Sequence, residues 1–173
     1  MNQQDQIRSA INEYAVAYVR LENLQSPPSF LPRGDQKTGC IGEFYARLYL
    51  QGDQPTADVT PGGHSNKAWD FKVRADESTR LIQVKTVSAY SKTRVLSAIH
   101  EGWQELWVIS LDAMFQPDGF WIVARESIEG SPFPLRGVRV PRPEDASGSS
   151  RGLAFGGNRV SEFLPHVQGN SQG

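Results

Sequence analysis

The chain has little of what cross-linked or thiol-based proteins depend on. Among its 173 residues there are one cysteine, three histidines and two methionines. A lone cysteine, Cys40, excludes an intramolecular disulfide and a zinc cluster built on thiolates. His64, His100 and His166 lack the close spacing of a metal pair, which argues against zinc. No apolar run approaches the ~20 residues of a membrane-spanning helix. The first residues, Met1 to Asp5, are polar and carry no cationic leader with an apolar core. The expectation is a cytoplasmic protein with no membrane partner. Net charge is only −1, so this is not a protein that coats nucleic acid by bulk charge.

What is present is an ordinary globular composition, with 38% hydrophobic and 21% charged residues. The length predicts one domain over residues 1–166, followed by a flexible tail at 167–173. Ile7, Ile11, Tyr14, Ala15, Tyr18 and Leu21 recur at helical spacing and predict a helix from about Gln4 to Leu24. The Pro-rich stretch Gln25 to Ser29 ends it, and Pro32-Arg33-Gly34 extends the loop, so residues 1–35 read as an N-terminal helix and loop. A second helix is predicted over Gln36–Leu50, with Ile41, Phe44, Tyr45 and Leu48 as its stripe. Gly39, Gly42 and Ala46 share the other side with Glu43, and such small residues permit another element to approach closely. A Pro-, Gly- and Asn-rich loop runs from Gln54 to Lys67, with Pro61-Gly62-Gly63 as its turn. Strands are predicted at Ala68–Arg74, Arg80–Val87, Glu105–Leu111 and Gly119–Ala124, which completes a core over 36–125. Ser88 to Gly102 fits neither period. In the C-terminal extension, 126–166, a short helix at Glu126–Glu129, a strand near Gly137–Val140 and a linker from Pro141 to Gly152 are expected.

The chemistry concentrates between Asp70 and Lys85. Strand side chains alternate, so Gln83 and Lys85 share one face while Ile82 and Val84 take the other. A lysine on a buried-looking strand requires a compensating charge or ligand. Asp70 shares the face of Gln83 and Lys85 if the hairpin connection holds an even number of residues, as a four-residue turn around Ala75 to Thr79 would. Between Asn66 and Val95, seven basic residues stand against three acidic ones, a local balance of +4 suited to a phosphate backbone. Strand-edge lysines that protect solubility would leave the same signature.

With Glu43 in Gly39-Cys40-Ile41-Gly42-Glu43, Asp70, and the Gln83-Val84-Lys85-Thr86 strand, the chain resembles the PD-(D/E)XK nuclease superfamily. That superfamily includes many restriction enzymes and Holliday-junction resolvases, and the resemblance, to short bacterial members, covers roughly residues 1–125. It implies an α/β fold with a restriction-endonuclease-like core, a mixed central sheet flanked by helices, and an extra N-terminal helix. It also implies a metal-dependent nuclease hydrolysing DNA phosphodiester bonds, an endonuclease of restriction, defence or repair type. The catalytic residues would be Glu43, Asp70, Gln83 and Lys85. Mg²⁺, with Mn²⁺ able to substitute, would be held by Asp70, Gln83, the Val84 carbonyl and Glu43. DNA contacts would fall to Lys67, Lys72, Lys92, Arg94 and His100, and cutting both strands would call for a homodimer or two encounters. The chain departs from the pattern in lacking a proline before Asp70 and in carrying Gln83 where Glu is commoner, which removes one negative charge from the metal site.

Blander alternatives exist for each residue. Asp70 and Lys85 could form a simple cross-strand ion pair, and Glu43 could pair with Arg47 at i+4. Cys40 with His64 or His100 is the competing nucleophile arrangement. A binding or interaction module on the same fold, weak or inactive in catalysis, is the alternative function. Trp103, Trp107 and Trp121 read as core or cleft-wall aromatics.

Overall fold

The computed structural model describes residues 2–24, 38–62, 66–128, 130 and 132–168. Helix α1 spans Gln3–Leu24, and Asn2 caps it by accepting the Asp5 N–H on its side-chain oxygen. Its predicted stripe holds, since Ile11, Ala15 and Tyr18 are buried. Helix α2 spans Thr38–Asp53 and buries Ile41, Tyr45 and Leu48 from its predicted stripe together with Ala46, Tyr49 and Leu50. Phe44 stays half-buried. Gln36 and the stretch expected as a loop, residues 25–35, lie outside the described residues.

Five strands make one mixed sheet in the order β1 (Asp58–Pro61), β2 (Phe71–Ala75), β3 (Ser78–Ser88), β4 (Glu105–Leu111) and β5 (Pro117–Ala124). All pairings are antiparallel except β3 with β4. The β2–β3 connection is a two-residue turn, with Asp76 at φ 51°. It is shorter than the four residues expected but has the same even parity, so the faces fall as the alternation requires.

One face of the sheet, carrying Phe71, Val73, Ile82, Val84, Trp107, Ile109 and Phe120, packs against α1 and α2. A third helix, α3 (Val160–Val167), joins them and inserts Phe163 against Phe120 with ring centroids 4.3 Å apart. This helix was not expected: it has only eight residues and Pro165 interrupts its period. Val167, assigned to the tail, is buried in it. Gln168 follows as the cap of the helix, donating its N–H to the Leu164 carbonyl, and residues 169–173 lie outside the described residues.

The opposite face, with Leu106, Val108, Trp121 and Val123, is covered by irregular chain rather than by helices. Ser88 to Gly102 is the crossover that parallel β3 and β4 require. It is bridged to the C-terminal extension at Val95–Arg139 and Ile99–Leu135. Those single bridges replace the strand expected at Gly137–Val140, and a 3₁₀ turn at Arg125–Ser127 replaces the expected short helix. The expected Pro141–Gly152 linker is also corrected. Val140 and Leu153 are buried on either side of it, and β6 (Ser149–Ser150) pairs with β7 (Leu153–Ala154), so the segment is part of the second layer. Hydrophobic periodicity could not announce this layer, because irregular backbone has no period. All three tryptophans of the sheet and crossover are core residues.

Gly42 sets the distance between α2 and β3. A Cβ there would collide with the Thr86 side chain. Gly42→Ala therefore gains about 1 kcal/mol of helix propensity but meets overpacking of about 1–3 kcal/mol. The expected outcome is a net loss of stability in urea titration, with α2 displaced outward. Unchanged stability would mean that Thr86 rotates away freely.

Candidate active site

Strand β3 outruns β2. The hairpin register pairs Phe71 with Ile82, and one further bond, from the Asp70 N–H to the Ile82 carbonyl, places Asp70 across from Gln83. There the chains part: the Asp70 carbonyl accepts the Gly62 N–H, and β3 continues to Ser88 without β2 beside it. The Asp70 carboxylate takes up the exposed edge, accepting the Val84 N–H on Oδ2 at 2.7 Å. The result is a cleft of about 790 Å³ over this half of β3, lined by Glu43, Asp70, Gln83, Val84, Lys85 and Thr86 among others.

Gln83 is 2% exposed. Its Nε2 donates to the Lys67 carbonyl at 2.8 Å, which fixes the orientation of the amide. That leaves Oε1 buried and, among the described residues, without a hydrogen-bond partner. An orphaned buried acceptor is unusual enough to require a reason. The buried hydroxyls of Thr38 and Thr86, also on this cleft, are likewise without a partner among the described residues. The loop carrying Lys67 is shaped by Asn66, whose side-chain oxygen accepts the Ala68 and Trp69 N–H groups.

Lys85 donates from Nζ to Ser97 Oγ at 3.1 Å, a contact reaching across from the crossover. Burial pushes its pKa down, while Asp70 and Glu43 act to hold it up. Burial likewise pushes the Asp70 carboxyl up, against the Val84 N–H bond and the Lys85 charge. In both groups desolvation is the largest influence, so each is held in a place its charged form disfavours. Among the described residues these two side chains form no ion pair with each other. The simple cross-strand pair is therefore not what holds them. Glu43 reaches the cleft from the second turn of α2, exposed at its rim.

Of the expected phosphate contacts, Lys67, Lys92 and His100 line the cleft, whereas Lys72 and Arg94 do not. Lys72 lies within β2, paired with Leu81 of β3 and Thr60 of β1. Arg94 is an internal strut, donating to Ser110 Oγ at 3.1 Å and to the Pro141 carbonyl at 2.7 Å. Arg80 is engaged by Glu105 at 2.8 Å and by Gln54. Cys40 lies in an apolar groove with Ile7, Tyr14 and Phe44, away from His100 and from His166, which packs on Tyr49. His64 lies outside the described residues. Sequence reasoning missed Thr38, Thr86, Asn66 and Ser97. Thr86, beside Lys85 in the strand, had a signal in its neighbour, but Ser97 had none.

Among the described residues no three His, Cys, Asp or Glu side chains gather around one point. The donor set here is different: two carboxylates, the buried amide oxygen of Gln83 and a strand carbonyl. These are hard oxygen donors, too few to cage an ion, and that suits a cation that keeps several waters. The orphaned Gln83 Oε1 is the observation that fits such a group.

No protein-family model matches the chain, and no curated protein matches it at a significant level. What stands on the structure itself is an α/β protein with a five-stranded mixed sheet. Among its described residues no helix is long and apolar enough to cross a membrane.

Proposed function

We propose that the chain is a metal-dependent nuclease of the PD-(D/E)XK kind, hydrolysing DNA phosphodiester bonds as an endonuclease. The observation that carries this is the Gln83 amide: its nitrogen is anchored to Lys67, its oxygen is buried and has no partner among the described residues, and a desolvated Asp70 stands across from it. Asp70, Gln83 Oε1, the Val84 carbonyl and Glu43 would hold Mg²⁺ or Mn²⁺. The bound ion would supply counter-charge to the developing pentacoordinate phosphate and lower the pKa of the attacking water. Lys85, oriented by Ser97, would position that water. Its burial eases loss of the ammonium proton, so it can accept the proton of the water. Lys67 and Lys92 flank the cleft and would seat the phosphates on either side of the scissile bond. One chain carries one such site, so cutting both strands would take a homodimer or two encounters.

The test is incubation of plasmid DNA with the purified protein. Cutting in Mg²⁺ or Mn²⁺ that chelator stops is expected; no cutting in either metal would overturn the proposal. One observation favours a second reading, a binding module on the same scaffold: the neutral Gln83 leaves the site one charge poorer than a carboxylate would. Metal-independent DNA binding without cutting would select it.

Gln83 also carries a prediction of its own. In Gln83→Glu the anchoring bond to the Lys67 carbonyl is lost and a carboxylate faces that carbonyl in a buried place. The variant should be less stable without metal by about 1–3 kcal/mol and should bind Mn²⁺ more tightly than the wild type in calorimetric titration. In the wild type, uncleavable DNA should raise Mn²⁺ affinity, because its phosphate supplies the missing charge. Equal affinities with and without DNA would rule out that role for the neutral amide.

A further inference from the structure

The cleft does not end at Lys92. Lys92 and Thr93 also line a second groove of about 540 Å³, whose other walls come from the C-terminal extension. We propose that this groove is a second phosphate-binding track, in which a nucleic acid seated in the cleft continues along Arg139, Arg142 and Arg151. The proposal rests on the nuclease reading for the identity of the polyanion, and deepens it by assigning a substrate longer than the cleft itself.

The groove is built rather than incidental. Arg94 closes its floor, with its guanidinium tied to Ser110 and Pro141, so the track stays joined to β4. The Arg139 N–H donates to Ser150 Oγ at 2.9 Å, which draws the β6–β7 hairpin against the bridged segment. In the turn of that hairpin Arg151 adopts φ 53°, a left-handed backbone that an arginine takes up at a strain. Among the described residues Asp145 is the one acid lining the groove, and it turns a carboxylate oxygen to the Arg142 N–H at 2.7 Å. Arg139, Arg142 and Arg151 are exposed, and among the described residues none of them forms an ion pair. Scattered arginines kept for solubility have no reason to converge on a concavity that shares a wall with the cleft. Planar guanidinium forks match phosphate oxygens, and their contacts release counterions.

The experiment measures binding of a labelled duplex of about twenty base pairs, 3.4 Å per step, in chelator over a range of salt concentrations. Wild type is compared with the full-length triple variant Arg139→Gln, Arg142→Gln, Arg151→Gln and with the matching triple Lys variant. Each phosphate contact adds about 0.9 to the slope of log affinity against log salt. The Gln variant should therefore bind with a slope shallower by about 2 to 3, whereas the Lys variant should keep the wild-type slope. A Gln variant that melts like the wild type and binds with an unchanged slope overturns the track, as does equal loss of slope in the Lys variant. The two proposals fail separately. A wild type that never cuts DNA but shows the arginine-dependent slope sinks the nuclease and leaves the track; a wild type that cuts, with a slope indifferent to the arginines, does the reverse.

Discussion

Asp70→Asn is expected to lower DNA cutting by at least about a thousandfold, the equivalent of ~4 kcal/mol in the transition state, while making the metal-free protein more stable. The two effects share one cause. Asn retains an oxygen for the Val84 N–H, so the edge of β3 stays capped, but it removes the charge that the cation would need. The stability effect follows from the raised pKa of Asp70. Between the unfolded value of 3.8 and the higher folded one, the native state binds the proton more tightly, so stability falls as pH rises through that window. Above 3.8 the buried carboxylate carries a penalty that grows until the folded value is passed, and Asn relieves it. Thermal melts at neutral pH in chelator should therefore place the variant above the wild type. Added Mn²⁺ should raise the wild type and leave the variant unchanged, because ligand stabilisation follows binding to the native state. A variant that melts lower in chelator would show that Asp70 is a structural carboxylate, and one that still cuts would remove it from the site.

Lys85 carries the second large effect. Lys85→Met should lower single-turnover cleavage by about 10²–10⁴-fold, the range for loss of a positioned acid or base. Its stability consequence has the opposite pH course to that of Asp70. The folded pKa is lowered, so between it and the unfolded 10.5 the unfolded state binds more protons and stability rises with pH. Below the folded value the buried ammonium is a liability, and Met at this half-buried position should leave the fold intact at neutral pH. Lys85→Arg separates charge from proton transfer, because a guanidinium keeps its charge and does not give up a proton. If Lys85 handles the proton of the attacking water, wild-type cleavage rises with pH across the range in which the ammonium deprotonates, and Arg restores neither rate nor slope. Recovery of the rate in the Arg variant would reduce Lys85 to a fixed charge.

These expectations treat the cleft as a place where stability has been given up. Two groups whose charged forms are disfavoured by burial, together with an amide oxygen that has no partner among the described residues, share one face where β3 runs on past β2. Ordinary packing would have replaced them with apolar residues, as it has at Leu106, Val108, Trp121 and Val123 on the same side of the sheet. Polar side chains concentrated at the open end of a β-strand, with apolar ones elsewhere on that face, are what a ligand site requires.

Much of this arrangement could be read directly from the residues. Alternation along a strand is covalent geometry, so Gln83 and Lys85 had to share a face, and an even turn had to bring Asp70 to it. The stripes of α1 and α2 and the small residues around Glu43 were legible for the same reason, since a helical period is local. Whatever depended on a distant partner was not. That Asp70 would bind a backbone N–H rather than Lys85, that Ser97 would hold Lys85, and that Arg94 would be a strut followed only from where β2 stops and where the crossover runs. The same holds for the irregular second layer and the arginine groove within it. Periodic patterns record how a segment meets its surroundings, whereas a contact between separate segments, such as Lys85 with Ser97 or Arg94 with Pro141, leaves no period to read; only the tertiary structure decides it.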